Sequence, residues 1–159
     1  MSANARVIGF LSGATPDDEG RFLRDIVAWP DQRLERVHDF IQWLFPLTEP
    51  SPVNPSAPVL DAATIAAIRA QPEIQANVRT SYQRMLRFYR GSTHWITPGN
   101  HNHLRITRIL KCLRLVGLDE EAREFFEWLT DIYEKEQENH PPGISARSYQ
   151  FWKEAVGQV

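Results

Sequence analysis

The chain has 159 residues, 18 Lys and Arg against 20 Asp and Glu, a formal net charge of −2 and one cysteine. That length predicts one domain over 1–159, able to bury roughly two thirds of the surface its unfolded chain exposes without a metal or disulfide staple. A lone Cys112 excludes an intrachain disulfide and suits a reducing compartment. The apolar runs are too short for a signal peptide or a membrane span, so a soluble, cytoplasmic protein is expected.

Val7 to Leu11 reads as a short lead-in, extended or helical, closed by Gly13. Thr15-Pro16-Asp17-Asp18 combines a capping residue, a proline and first-turn acids, and predicts a helix carrying Phe22, Leu23, Ile26 and Val27 on one face. Leu34, Val37, Ile41, Leu44 and Phe45 recur at three- and four-residue spacing. They predict one helix from an Asp31 cap to Pro46, with Trp43 on the opposite side. Pro46, Pro50, Pro52, Pro55 and Pro58 then forbid helix and interior strand, and predict a stiff, extended strap across the domain. Asp61 caps the next helix, with Leu60 and Ile65 placed as a hydrophobic staple.

Pro72 opens a longer helix whose face is Ile74, Val78, Tyr82, Met85, Leu86 and Tyr89, stopped by Gly91. After a loop holding Trp95 and Pro98, Asn100 or Asn102 caps a helix with Ile106, Ile109, Leu110, Leu113 and Val116 on one face. Leu104 and Leu115 on its other face place that helix at the centre of a bundle. Gly117-Leu118-Asp119 turns into a helix facing inwards with Ala122, Phe125, Phe126, Leu129, Ile132 and Tyr133. Ser145 caps a last one carrying Tyr149, Trp152 and Val156. The expectation is an all-α, single-domain bundle of about seven helices with a proline-rich extended connector.

Charge is unevenly spread. Between Ala62 and Leu118 there are nine basic residues and one acid, and from Asp119 to Glu138 nine acids and two basic residues. This fits either a basic face for nucleic acid or another polyanion, or compensation between two consecutive helices, and internal compensation is the simpler account. Asn100, His101, Asn102 and His103, followed by Arg105 and Arg108, crowd one helix entrance, where free backbone N–H groups suit an anion or carboxylate. An alternative is an enzyme or metal protein using His101 and His103, joined by His38, Asp39 or Glu49. The i, i+2 spacing requires both histidines to ligate before the helix proper. No nucleophile elbow, P-loop or dinucleotide signature occurs, so no catalytic residue, metal or cofactor is assigned. Cys112, in mid-helix, reads as a small buried hydrophobe.

The stretch H-D-F-I-Q-W-L-F-P-L-T-E-P-S-P-V-N-P-S-A-P-V-L-D, His38 to Asp61, resembles the conserved N-terminal region of opioid growth factor receptors. So does N-H-N-H-L-R-I-T-R-I-L-K-C-L-R-L-V-G-L, Asn100 to Leu118, with weaker likeness over Phe10–Arg21 and Met85–Tyr89. The resemblance implies a shared fold. It also implies a non-enzymatic binding or regulatory role with a peptide or other small ligand as partner, since the animal receptors bind Met-enkephalin and are associated with the nucleus. The chain looks more like stand-alone bacterial members of that family, and the family supplies no catalytic residues. The strap and the Asn100 entrance are expected to meet at a ligand site formed by His38, Trp43, Asn100, His101, Asn102, His103, Arg105 and Arg108.

Overall fold

A computed structural model describes residues 3–157, and among them nine α-helices and no strand. The all-α expectation holds, while the count differs from seven in two places: the lead-in is itself helical, and the helix expected from Asp31 to Phe45 is two. The chain divides into two compact units, one ending at Arg84 and one beginning at Met85.

In the first unit α1 (Ala3–Leu11) buries Val7, Phe10 and Leu11. Gly13, at φ 85°, turns the chain out of it, and Asn77 Nδ2 donates to the Leu11 carbonyl at 2.9 Å. The helix expected from Thr15 starts later, as α2 (Leu23–Val27). Asp17 is buried instead of sitting in a first turn. Its carboxylate accepts from the backbone N–H groups of Glu19 and Arg21, both at 2.9 Å, and from Arg21 Nε at 2.8 Å. Gly20, at φ 78°, lets the turn close around that carboxylate.

The same arginine accounts for the broken second helix. Arg21 Nη1 reaches Asp39 Oδ1 at 2.9 Å, and the Asp39 carbonyl accepts from Asn54 Nδ2 at 2.9 Å. The guanidinium pKa is raised: burial acts to lower it, and the bonds to Asp39 and Asp17 outweigh that. Val37 is extended (φ −87°, ψ 130°), so α3 (Asp31–Arg36) and α4 (Ile41–Leu44) are separate. Apolar spacing alone could not show the interruption, and α4 is buried on all sides, Gln42 and Trp43 included. Asp31 is not the cap either. Pro30 holds that position, and Asp31 Oδ1 accepts from Arg84 Nη2 at 2.6 Å.

The proline segment does not run as an extended strap. Leu60 N–H donates to the Leu47 carbonyl at 2.8 Å, so the connector doubles back and its ends meet. Asn54 is buried at its base, while Pro50, Pro52, Val53 and Pro55 face solvent. Beyond it α5 (Ala62–Ala70) is capped as expected: Asp61 Oδ1 accepts from Thr64 N–H at 2.8 Å and from its hydroxyl at 2.6 Å. Those Thr64 bonds, with one from Asn4, lower the Asp61 pKa to about 2. Helix α1 packs against α4 and α5. Helix α6 (Pro72–Arg90) begins in this unit and ends in the second, and all six residues of its expected face are buried.

The second unit is built on α7 (His101–Leu115), which packs against both α8 (Asp119–Glu136) and α9 (Ala146–Ala155). Gly117, at φ 86°, makes the corner between α7 and α8, and Ser145 Oγ caps α9 by accepting from Ser148 N–H at 3.2 Å. Ala122, Phe125, Phe126 and Leu129 are buried, with Ile132 and Tyr133 at the margin. Tyr133 stacks on Tyr149 of α9 with ring centroids 4.0 Å apart. One expectation fails at α7. Leu104, placed on a second buried face, is 70% exposed, whereas Asn102, His103 and Arg105 are buried. The first turn of α7 is therefore polar inside and apolar outside.

Part of the basic excess is internal. Arg84 and Arg105 are buried, and Arg114 Nη1 lies 3.1 Å from Asp119 Oδ1 at the α7–α8 corner. Arg114 follows the expected compensation between consecutive helices, whereas Arg84 pairs with Asp31 of the first unit. No helix among the described residues is long and apolar enough to cross a membrane.

Candidate functional site

The inverted first turn of α7 has a local cause in Asn100. It takes an extended conformation (φ −158°, ψ 145°), and its Oδ1 accepts from both the backbone N–H of Asn102 at 2.9 Å and its side-chain amide at 3.0 Å. That fixes Asn102, which lies wholly inside and accepts from the Tyr89 hydroxyl at 3.1 Å. The next residue, His103, is then also directed inwards.

His103 spends both ring nitrogens. Nε2 lies 2.8 Å from the Trp95 carbonyl, and Nδ1 lies 2.8 Å from Ser148 Oγ on α9. A carbonyl only accepts, so Nε2 carries the hydrogen, and in the neutral ring Nδ1 accepts from the serine hydroxyl. Burial lowers the His103 pKa. The Trp95 carbonyl opposes this, and the charge of His101 adds to the lowering. The ring is therefore neutral at pH 7. The edge of the ring meets Trp152, centroids 5.5 Å apart at 80°, and Trp152 Nε1 donates to the His103 carbonyl at 3.1 Å. Trp95 is fully buried, with its indole N–H shared between the carbonyls of Tyr89 and Ser92, both at 3.1 Å. Its carbonyl also accepts from Thr97 N–H at 3.0 Å.

Outside this assembly lies a cavity of about 330 Å³ bordered by Asn100, His103, Leu104, Ser145, Arg147, Ser148 and Phe151 among others. Its rim carries two of the exposed large apolar side chains of the molecule, Leu104 and Phe151, the latter 41% exposed. Arg147 contributes a guanidinium, held 5.7 Å from the Phe151 ring. The N-terminal ends of α7 and α9 both border this space.

Of the residues expected at a ligand site, Asn100 and His103 border the cavity. Asn102 and Arg105 are buried, His101 is exposed and Arg108 half-buried on α7. His38 and Trp43 belong to the first unit. His38 is exposed between α3 and α4. Trp43 is a core residue, 1% exposed, against Phe10 at 5.4 Å and beneath the Arg6 guanidinium at 5.0 Å. Among the described residues no three His, Cys, Asp or Glu side chains gather as a metal site. A metal on His103 would have to displace Ser148 or the Trp95 carbonyl. Sequence reasoning missed Ser148, Arg147 and Phe151. The available signal was the pair Ser145 and Ser148 at cap spacing, which marks a helix start without saying what the second hydroxyl touches.

Residues 21–94 match the family model described as the opioid growth factor receptor (OGFr) conserved region. That segment contains His38 to Asp61 and ends before Asn100. The opioid growth factor receptor of Rattus norvegicus is 36% identical over 121 residues, covering 63% of this chain and 21% of that protein. The Homo sapiens receptor is 37% identical over 124 residues, covering 63% and 18%. Opioid growth factor receptor-like protein 1 of Rattus norvegicus is 28% identical over 138 residues, covering 76% and 29%. The chain thus spans about a fifth of the length of the receptors it matches. No solved structure matches significantly. Over residues 21–94, just under half of its length, the chain is similar to the opioid growth factor receptor conserved region.

Proposed function

We propose that the protein is a binding domain whose second unit takes a short peptide or similarly sized ligand in the cavity between the starts of α7 and α9. The observation that carries this is the inversion at α7. Leu104 stands in water while Asn102, His103 and Arg105 are buried. Leaving a leucine exposed beside an exposed phenylalanine is unfavourable in the free protein and favourable once an apolar group covers both. Full burial of such a side chain contributes about 1.5–3 kcal/mol. Around it Asn100 and Arg147 offer donors for a carbonyl or carboxylate. The names of the relatives, receptors for an opioid growth factor, favour a peptide as the occupant. The buried, lone Cys112 supports a reducing, cytoplasmic setting.

Calorimetric titration with Met-enkephalin and a scrambled peptide tests the reading at concentrations that detect about micromolar affinity. Specific heat with the first, weakened about tenfold or more by Leu104→Asp, is expected. Absence of binding by both peptides, or equal binding by both, refutes it.

A further inference from the structure

The contacts of His103 have the form of a nucleophile, a base and a group that orients the base. Ser148 Oγ lies 2.8 Å from Nδ1, and the opposite nitrogen, Nε2, is held at 2.8 Å by the Trp95 carbonyl. Three features distinguish this from a tether between two helices. The hydrogen-bond directions run one way: Ser145 Oγ donates to Ser148 Oγ at 3.1 Å, and that hydroxyl has its own hydrogen left for Nδ1. The base is rigid, because the Trp95 loop is anchored through its indole N–H and the imidazole edge rests on Trp152. Finally, hydroxyl and imidazole both border the open cavity instead of being sealed from it.

We propose that Ser148 and His103 form a catalytic serine–histidine pair that transfers the acyl group of small apolar carboxylic esters. Ser148 Oγ attacks the ester carbonyl carbon, and its proton passes to His103 Nδ1 while Nε2–H stays on the Trp95 carbonyl. Collapse of the tetrahedral intermediate breaks the carbonyl carbon to alkoxy oxygen bond. The alcohol leaves with the proton from Nδ1, and the acyl group remains on Ser148. Water then attacks the acyl carbon, gives one proton to Nδ1, and releases the carboxylic acid as Nδ1 returns that proton to Ser148. Arg147, the second residue of α9 and part of the cavity wall, has a backbone amide without an intrahelical acceptor, the donor this proposal assigns to the oxyanion. Leu104 and Phe151 form the apolar side of the cavity, which selects a short aliphatic or aromatic acyl chain. The neutrality of His103 at pH 7 leaves its Nδ1 lone pair available as the base.

This chemistry uses the cavity assigned above to ligand binding, and its test is separate from the peptide titration. The full chain is incubated with an alkyl fluorophosphonate, digested and mapped by mass spectrometry, and its hydrolysis of p-nitrophenyl butyrate is followed in parallel. One phosphonyl group, on Ser148, is expected. Ser148→Ala should take no label and lose about 100-fold or more of the hydrolysis. Labelling is read on the unsubstituted protein, so the folding of a variant does not decide it. No adduct on Ser148 from about pH 6 to about pH 9 overturns the proposal, as does undiminished hydrolysis by Ser148→Ala. Peptide binding without labelling would remove the catalytic pair and leave the binding reading standing, whereas labelling without peptide binding would do the reverse.

Discussion

Replacing His103 with phenylalanine separates its hydrogen bonds from its bulk. The ring keeps its edge contact with Trp152, 5.5 Å between centroids, and both nitrogens are lost. Two partners are affected unequally. The Trp95 carbonyl is buried but retains Thr97 N–H at 3.0 Å, so the loss there is one net hydrogen bond, about 0.5–1.5 kcal/mol, rather than a stranded acceptor. The Ser148 hydroxyl borders the cavity and can turn to water, so its loss is near zero. The sum is about 1 kcal/mol, or a fall of roughly 2–4 °C in Tm for a chain of this length. His103→Ala also forfeits the aromatic contact, a further ~0.5–1.5 kcal/mol, and should fall below the phenylalanine variant. Urea denaturation followed by far-UV circular dichroism reads both. A phenylalanine variant as stable as the parent would show that the bond to Trp95 is absent in solution. A loss above about 3 kcal/mol would show that the carbonyl is stranded, and the energetic account of the site would fall.

Three other outcomes are expected. Gly117→Ala forces a Cβ into φ 86° at the α7–α8 corner and should destabilise by about 1–2 kcal/mol in the same assay; a neutral result would show that the corner relaxes. Cys112 is fully buried, with its pKa pushed up to about 12 by burial, so iodoacetamide at neutral pH should label the native protein far more slowly than the urea-unfolded chain. Because the folded pKa of His103 lies below its ordinary 6.5, the unfolded chain takes up the proton first as pH falls. The stability contribution is thus intact above pH 6.5 and declines as pH drops through that value. This part of the slope should be missing from His103→Phe when Tm is measured across that range.

Local signals in the sequence proved sound at Asp61 and along α6. Asp61 caps through Thr64, three residues away, and the buried face of α6 follows from spacing alone. They misled at Asp17, whose carboxylate closes a turn on Arg21 instead of starting a helix, and at Asp39, held by the distant Arg21 and Asn54, so one helix begins late and another divides. The candidate site was legible in half. Asn100 announces a helix entrance, and the crowding of polar groups after it is visible in the sequence. That the histidine behind it meets a serine 45 positions later is a property of the packing of α7 on α9, which no spacing encodes. The exposure of Leu104 was equally invisible, because an apolar residue in a helical pattern carries no mark of the face that remains uncovered.

The bond between Leu47 and Leu60 gives the proline connector a practical property. With its two ends clasped, whatever is added beyond them stays outside the clasp. The entropy of closing a loop grows only with the logarithm of its length, so doubling the segment costs about 0.6 kcal/mol. Glu49 and Pro50 both face solvent, and an epitope or fluorophore-bearing peptide spliced between them should ride on the surface without loosening the helices on either side. The stretch with the most restricted backbone is thereby the most permissive point for extending the chain.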